Sequence, residues 1–275
     1  MALTWQQAAG LTAVLLCLAL AMRTSGRTAL HRAAPFAVEA CLIVGLYSLW
    51  QLAGSLSLLG TSGAFRRAHD IVRLEHDWHL PSEAAVQRLV VDHPLIVQGC
   101  NVFYASMHFG AMFGFLAWLF VRHRDRYAPV RTTLALTTLV CLLIQLLPVA
   151  PPRLLPSFTD TATRYGQSVY SLGLAPDQLS AMPSVHVAWA VLIGWSVVRI
   201  GTGRWRWLAL AHPLLTVFVI VATANHFWLD GVVAIAVLVA CGAAQGWVRR
   251  AVEARRTSPA APGLLSDATI SSMLR

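Results

Sequence analysis

The sequence predicts an all-α protein, a polytopic bundle of transmembrane helices with six core spans, seven in total, and short interfacial helices on its outer face. Three observations predict it. Of 275 residues, 57% are hydrophobic and only 12% are charged, roughly half the charge of a soluble domain. The apolar residues fall in long runs, and a helix needs about 20 of them to cross the hydrocarbon of a bilayer. Short arginine-bearing segments separate the runs, as loops at a membrane surface do.

The runs are 6–22, 36–59, 95–121, 131–150, 184–200, 206–225 and 228–248. The first is the shortest in apolar content. It lacks a basic stretch ahead of it, and arginines follow it, which fits a span with an outer N-terminus better than a signal peptide. Arginine sets the orientation of the rest. One side carries Arg23, Arg27, Arg32, Arg122, Arg124, Arg126, Arg131, Arg199, Arg204, Arg206, Arg249, Arg250, Arg255 and Arg256; the other carries only Arg66, Arg67, Arg73, Arg88, Arg153 and Arg164, over longer loops. The rich side is expected in the cytoplasm. A multi-pass plasma-membrane protein follows, with the starts of the runs at 184 and 228 on the outer face.

Two outer loops are long. In 60–94, Ile71, Leu74 and Trp78 recur at helical spacing and Pro81-Ser82-Glu83 has the form of a helix start, so two interfacial helices are expected. Residues 151–183 are rich in turn formers. Residues 249–275 read as a disordered cytoplasmic tail. The chain divides into 1–94, the N-terminal spans plus the outer amphipathic loop; 95–248, the membrane core; and the tail.

Composition also excludes classes. The net charge of +9 is spread over short loops, which argues against a nucleic-acid partner. The five cysteines lie inside apolar runs with no ligand or disulfide spacing. The segment His69, Asp70, Glu75, His76, Asp77, His79 has metal-ligand residue types, with His76 and His79 able to share a helix face, but suits a solvated interfacial helix equally. No metal or cofactor is expected.

Polar groups at membrane depth need a partner or a purpose. His226 and Asp230 are four apart, and within one helix they would share a face. A carboxylate on one imidazole nitrogen fixes the tautomer and leaves the other free to act as nucleophile or base; a structural pair capping a helix is the plainer alternative. His186 follows Pro183-Ser184 at a helix start, where free amides favour an anion, although Ser184 would also serve as an ordinary N-cap. A second histidine facing His226 would supply acid and base. Arg153, in "APPR" just past a span, is a candidate for neutralising charge or a snorkelling anchor. Together the four describe a metal-free phosphoryl-transfer site. Gln98, Asn101, Tyr104 and His108 form a polar stripe near one helix face, either glue between helices or the wall of a substrate pocket. Glu39, Gln145 and His212 read as structural.

These residues resemble the type-2 phosphatidic acid phosphatase superfamily. Its proline-serine-glycine-histidine motif is matched by Pro183-Ser184-Val185-His186, with valine for glycine, and its histidine followed four residues on by aspartate is matched by His226 and Asp230. The wider context, "APPRLLP", "NVFYASMHF", "SAMPSVHVAWA" and "ATANHFWLD", is similar to the branch of inositol phosphorylceramide synthases, the inositolphosphotransferase-domain proteins. The resemblance covers about residues 95–248. It implies that His226 is a nucleophile forming a phosphohistidine, that Asp230 orients it, that His186 protonates the leaving group and then activates the acceptor, and that Arg153 holds phosphate oxygens. Two departures stand out. The superfamily's first motif pairs lysine with arginine, and this chain has no lysine; the arginine expected six residues before the last histidine is Ile220. Arg164 and Arg73 are the outer-loop substitutes, with Ser184 as a further phosphate contact.

The expected activity is that of a membrane lipid phosphatase or phosphotransferase acting on a phospholipid or polyprenyl phosphate headgroup, with water or a hydroxyl compound as acceptor, and a homo-oligomer is compatible with it. The alternatives are an inositol-phosphate-type headgroup transferase and a transporter with a His–Asp proton relay. Against the transporter, the histidines cluster at helix ends on one side, and no pair of broken helices recurs in matching halves.

Overall fold

The computed structural model describes residues 3–55, 63–168 and 178–257, and the described part is all helix and loop. In chain order the helices are α1 (Trp5–Thr24), α2 (Thr28–Ser55), α3 (Ala64–Asp77), α4 (Glu83–Val91), α5 (Pro94–Arg122), α6 (Arg124–Gln145), α7 (Thr161–Arg164), α8 (Val185–Ile200), α9 (Ala211–Ala222) and α10 (Trp228–Thr257). Short 3₁₀ turns cover Pro152–Leu154 and Arg204–Leu210. Six of the described helical segments are long and apolar enough to cross a membrane: α1, Thr28–Leu52 of α2, α5, α6, Arg204–Ala222 and Trp228–Arg255 of α10. The shorter apolar helix α8 packs among them, which accounts for the seven runs. This is a multi-pass membrane protein.

Several boundaries differ from those of the apolar runs. α2 starts at Thr28, well before the predicted 36, with Pro35 inside it. α6 starts at Arg124 and ends at Gln145, five residues before the apolar run does, because Pro148, Pro151 and Pro152 stop it. The tail expected from 249 is corrected: α10 continues to Thr257, with Arg249 paired to Glu253 one turn on at 3.7 Å. The remainder of that tail, residues 169–177 of the second outer loop, and residues 56–59 of the second predicted run lie outside the described residues.

Helices α1 and α2 pack mainly on each other, with Ser48 Oγ donating to the Trp5 carbonyl at 2.9 Å. Glu39 then ties α2 to α6: Arg131 lies 3.4 Å from its carboxylate, and the Tyr127 hydroxyl donates to it at 3.1 Å. The core proper is α5, α6, α8, α9 and α10. Met112, Phe115 and Leu119 of α5 meet Leu134 of α6, Leu192 and Ile193 of α8 and Leu238 of α10 in one apolar cluster.

Both outer helices form where expected. Ser82 caps α4 by accepting the Ala85 amide, but α3 ends at Asp77 and leaves His79 in the turn that follows, so His76 and His79 do not share a helix face. Neither helix is merely solvated. Ala64, Ala68 and Ile71 recur on one face of α3 and pack against Val149, Ala150, Leu155, Ala181, Phe227 and Leu229. Those partners belong to the very segments that carry the candidate motifs, so α3 lies over the site.

Candidate active site

Main-chain hydrogen bonds stitch three distant segments together. The Val149 amide donates to the Leu179 carbonyl at 2.6 Å and the Ala181 amide returns to Val149 at 3.2 Å. The Arg153 amide donates to Ala224 at 2.8 Å, and the Ser184 amide donates to Asp230 at 3.1 Å. Gln145, read as structural from the sequence, donates its Nε2 to the Pro183 carbonyl at 2.9 Å. Each bond satisfies a buried backbone group that water does not reach, and together they bring 148–154, 179–186 and 224–230 to one end of the bundle.

The turn carrying His226 is set by the end of α9. The Asn225 amide reaches back to the Ile220 carbonyl and the Ala224 amide to Val221, both at 2.9 Å, the paired bonds of a Schellman ending. Ala224 holds the left-handed position at φ 53°, where glycine is the usual occupant because a Cβ crowds the following carbonyl. The chain therefore leaves α9 sharply and presents His226 just ahead of α10.

This corrects the expected helical pairing. α10 begins at Trp228, so His226 precedes the helix and Asp230 lies in its first turn. Asp230 is fully buried and accepts twice through Oδ2, from the Phe227 amide at 2.9 Å and from His226 Nδ1 at 3.2 Å. The closer partner of His226 Nδ1 is the Ala181 carbonyl at 2.7 Å. A carbonyl only accepts, so Nδ1 carries the hydrogen and Nε2 keeps its lone pair. His226 is 4% exposed, and among the described residues its Nε2 has no hydrogen-bond partner.

His186 stands in the first turn of α8, its ring centroid 5.6 Å from that of His226. Tyr104 stacks on it at 4.4 Å, and His108 meets it edge-on at 4.3 Å. His108 Nδ1 donates to the Tyr104 carbonyl at 3.0 Å, which directs its other nitrogen away from the helix backbone. Tyr104 and His108 of the α5 stripe thus lie against the histidine cluster, and a cavity of about 10 Å³ beside them is bounded by Thr216 and Ile220. Asn101 does something else. Buried at 3%, it donates Nδ2 to the Thr161 carbonyl and to Gln167, and accepts from the Thr161 hydroxyl. It anchors the second outer loop instead of facing the pocket.

The phosphate-binding candidates separate in the same way. Arg153 is 4% exposed, with Nε 3.7 Å from Asp160, and its amide is tied to the His226 turn. Ser184 is fully buried, and its hydroxyl caps α8 by accepting the Val187 amide at 3.4 Å. Arg164 is exposed at the end of α7, its guanidinium 5.8 Å from the Tyr165 ring centre. Arg73 is 79% exposed and pairs with Asp70 at 3.8 Å, which does not join it to the buried histidines. Ile220, standing where an arginine was expected, is buried in the apolar cluster of Val187, Ala188, Val221 and Ala234, where a charge would lack a partner.

Sequence reasoning missed Glu75 and Glu83. They are 3% and 6% exposed and accept from the Leu229 amide at 2.8 Å and the Trp228 amide at 3.3 Å. A signal was present: Ala64, Ala68, Ile71 and Glu75 fall on one helix face, and Glu83, Gln87 and Val90 on another. Gln87 exchanges two hydrogen bonds with the Thr159 backbone, both 2.9 Å.

Among the described residues, no group of three or more His, Cys, Asp or Glu could hold a metal ion. The arrangement places one imidazole nitrogen with a free lone pair, the carboxylate behind that ring and a second imidazole around one point, with the segment of the buried Arg153 tied by its main chain to the same turn. A family model described as the PAP2 superfamily matches residues 69–244, from within α3 to within α10. No curated protein and no solved structure matches the chain.

Proposed function

The chain belongs to the PAP2 superfamily, and from that premise we propose that it moves a phosphoryl group between a membrane lipid phosphate and a water or hydroxyl acceptor, without a metal, through a phosphohistidine on His226. Membership makes it a membrane enzyme of phosphate-bearing headgroups; the substrate and the covalent step are the proposal. One observation carries it: His226 has its Nδ1 engaged by Ala181 and Asp230 and its Nε2 left as the only nitrogen able to attack, across from His186.

The steps balance as follows. The Nε2 lone pair of His226 attacks phosphorus in line, and the bond from phosphorus to the leaving oxygen breaks. His186 gives that oxygen a proton. The Nδ1–H of the phosphorylated ring stays hydrogen-bonded to Asp230, whose negative charge offsets the positive charge developing on the imidazole. His186, now neutral, takes a proton from the acceptor, whose oxygen attacks phosphorus and returns the electron pair to Nε2. Arg153, with support from Arg164, balances the charge of the equatorial oxygens. Catalysis is assigned to the 95–248 core, with the site on the extracytoplasmic face of the plasma membrane.

Transfer of an inositol-phosphate-type headgroup onto a lipid or sugar hydroxyl is the second reading, favoured by the "APPRLLP" and "NVFYASMHF" segments that resemble the inositol phosphorylceramide synthase branch. One experiment tests both. Purified protein is incubated with phosphorus-32 lipid phosphates, with and without a lipid or sugar hydroxyl acceptor, in excess EDTA. Base-stable label on wild type and none on His226→Ala is the expected result, and transfer of a labelled inositol-phosphate headgroup to that acceptor selects the second reading. Loss of activity in EDTA with recovery on adding zinc or magnesium overturns the metal-free mechanism.

A further inference from the structure

We propose that Glu75 and Glu83, carried by the two outer helices, form a proton-sharing clamp on the amino end of α10 that positions the Asp230–His226 pair for turnover. This rests on the reaction proposed above for His226.

The geometry begins with the free amides of a helix start. At α10 three of the four are taken by carboxylates: Phe227 by Asp230 Oδ2, Trp228 by Glu83 Oε1 and Leu229 by Glu75 Oε1. The last two come from 145 and 154 residues away. The indole nitrogen of Trp228 adds a bond to the Pro81 carbonyl at 2.6 Å, from the turn between the two outer helices. The first turn of α10 is thus gripped from α3, α4 and their connection. Residues 226–230 lie inside that grip.

Two buried carboxylates beside one another are both acceptors, and their charges repel. The second oxygen of Glu75 is buried, and among the described residues no N–H or hydroxyl donates to it. The ionisable groups facing Glu75 are Glu83 on α4 and Asp230 on α10, both acidic, and among the described residues no cation pairs with either glutamate. A single proton resolves the conflict: it turns the facing oxygens into donor and acceptor and removes one charge. Burial, followed by the hydrogen bond to Glu83, pushes the Glu75 carboxyl up to about 9. The proton is held at neutral pH. Because the pKa is raised on folding, the clamp's contribution is whole at low pH and is lost as the pH climbs through about 9.

Glutamine at 75 is the discriminating variant. It keeps an acceptor for the Leu229 amide and carries a permanent donor for Glu83, so it mimics the protonated acid and cannot lose it. The test uses the full-length protein in detergent. Phosphate release from a soluble short-chain lipid phosphate, and the thermal unfolding midpoint, are measured from pH 6 to pH 10 on wild type, Glu75→Gln, Glu75→Ala and Glu83→Ala. Wild type is expected to lose kcat as the pH rises through about 9, and its thermal midpoint is expected to fall relative to that of Glu75→Gln from pH 6 to about 9 and to level off above it, while Glu75→Gln keeps kcat at high pH and holds neutral-pH kcat within about threefold. Both alanine variants that fold are expected to lose kcat by about 10- to 100-fold with KM little changed, the signature of a mispositioned reacting group. A wild-type alkaline limb that persists in Glu75→Gln overturns the shared proton. Full kcat in a folded Glu75→Ala overturns the positioning role. If wild type releases no phosphate and takes no label, the reaction itself fails, and the thermal comparison still decides whether the proton is there.

Discussion

Replacing Asp230 by asparagine removes one negative charge and little else. The asparagine oxygen can still accept from the Phe227 amide, now 2.9 Å from the carboxylate, and from His226 Nδ1–H. In most His–carboxylate pairs the carboxylate also chooses the tautomer. Here the Ala181 carbonyl, at 2.7 Å against 3.2 Å for Asp230, holds the hydrogen on Nδ1 by itself. What is lost is electrostatic. Two unit charges at the separation of 3.2 Å attract by about 5 kcal/mol at an effective dielectric constant of about 20. If about half a charge develops on the ring in the transition state, about 2.5 kcal/mol disappears. At 1.36 kcal/mol per decade this is a loss of about 10²-fold in kcat, with KM unchanged because the group does not touch the lipid. The assay is steady-state phosphate release from a short-chain lipid phosphate, on protein whose thermal midpoint shows that it is folded. A loss beyond about 10⁴-fold would mean that the carboxylate alone sets the tautomer and that the Ala181 bond counts for nothing. Wild-type kcat would refute the electrostatic role outright.

Two further outcomes are expected. His186→Ala should be slowed by about 10²- to 10⁴-fold, recover with an aryl phosphate whose leaving group needs no proton, and accumulate labelled phosphohistidine; acid-quench labelling that finds no label on this variant but finds it on His226→Ala reverses the two roles. Cysteine at exposed Thr163, in α7, should react with an impermeant thiol reagent in intact cells, and cysteine at exposed Thr202, between α8 and α9, only after lysis; labelling of position 202 in intact cells inverts the orientation drawn from the arginines.

Hydropathy and arginine placement were enough for the class of fold, because a bilayer imposes both span length and satisfied backbone on any chain that crosses it. The motif residues were legible for a related reason. His186, His226 and Asp230 are expensive where they lie, so their presence at run boundaries already asked for a purpose. The same cost argument singled out Tyr104 and His108 together with Asn101, without deciding which of them faces the histidines. It could not locate what depends on long-range register. That Asp230 shares His226 with the Ala181 carbonyl follows from the main-chain ties among 148–154, 179–186 and 224–230, and nothing in the local sequence of any one segment specifies the other two. Arg73 and Arg153 look alike as outer-loop arginines, yet one is 79% exposed and the other 4%, a difference made by which face of α3 packs and by where the 3₁₀ turn at Pro152–Leu154 meets Ala224. Ser184 and Asn101 carry the residue types of ligand contacts, and tertiary packing spends them on a helix cap and a loop anchor. Glu75 and Glu83 belong to the same class of decision: a carboxylate on an amphipathic stripe is solvated or buried according to what packs on the stripe, and only the docking of α3 and α4 over the amino end of α10 gave both an amide to accept from.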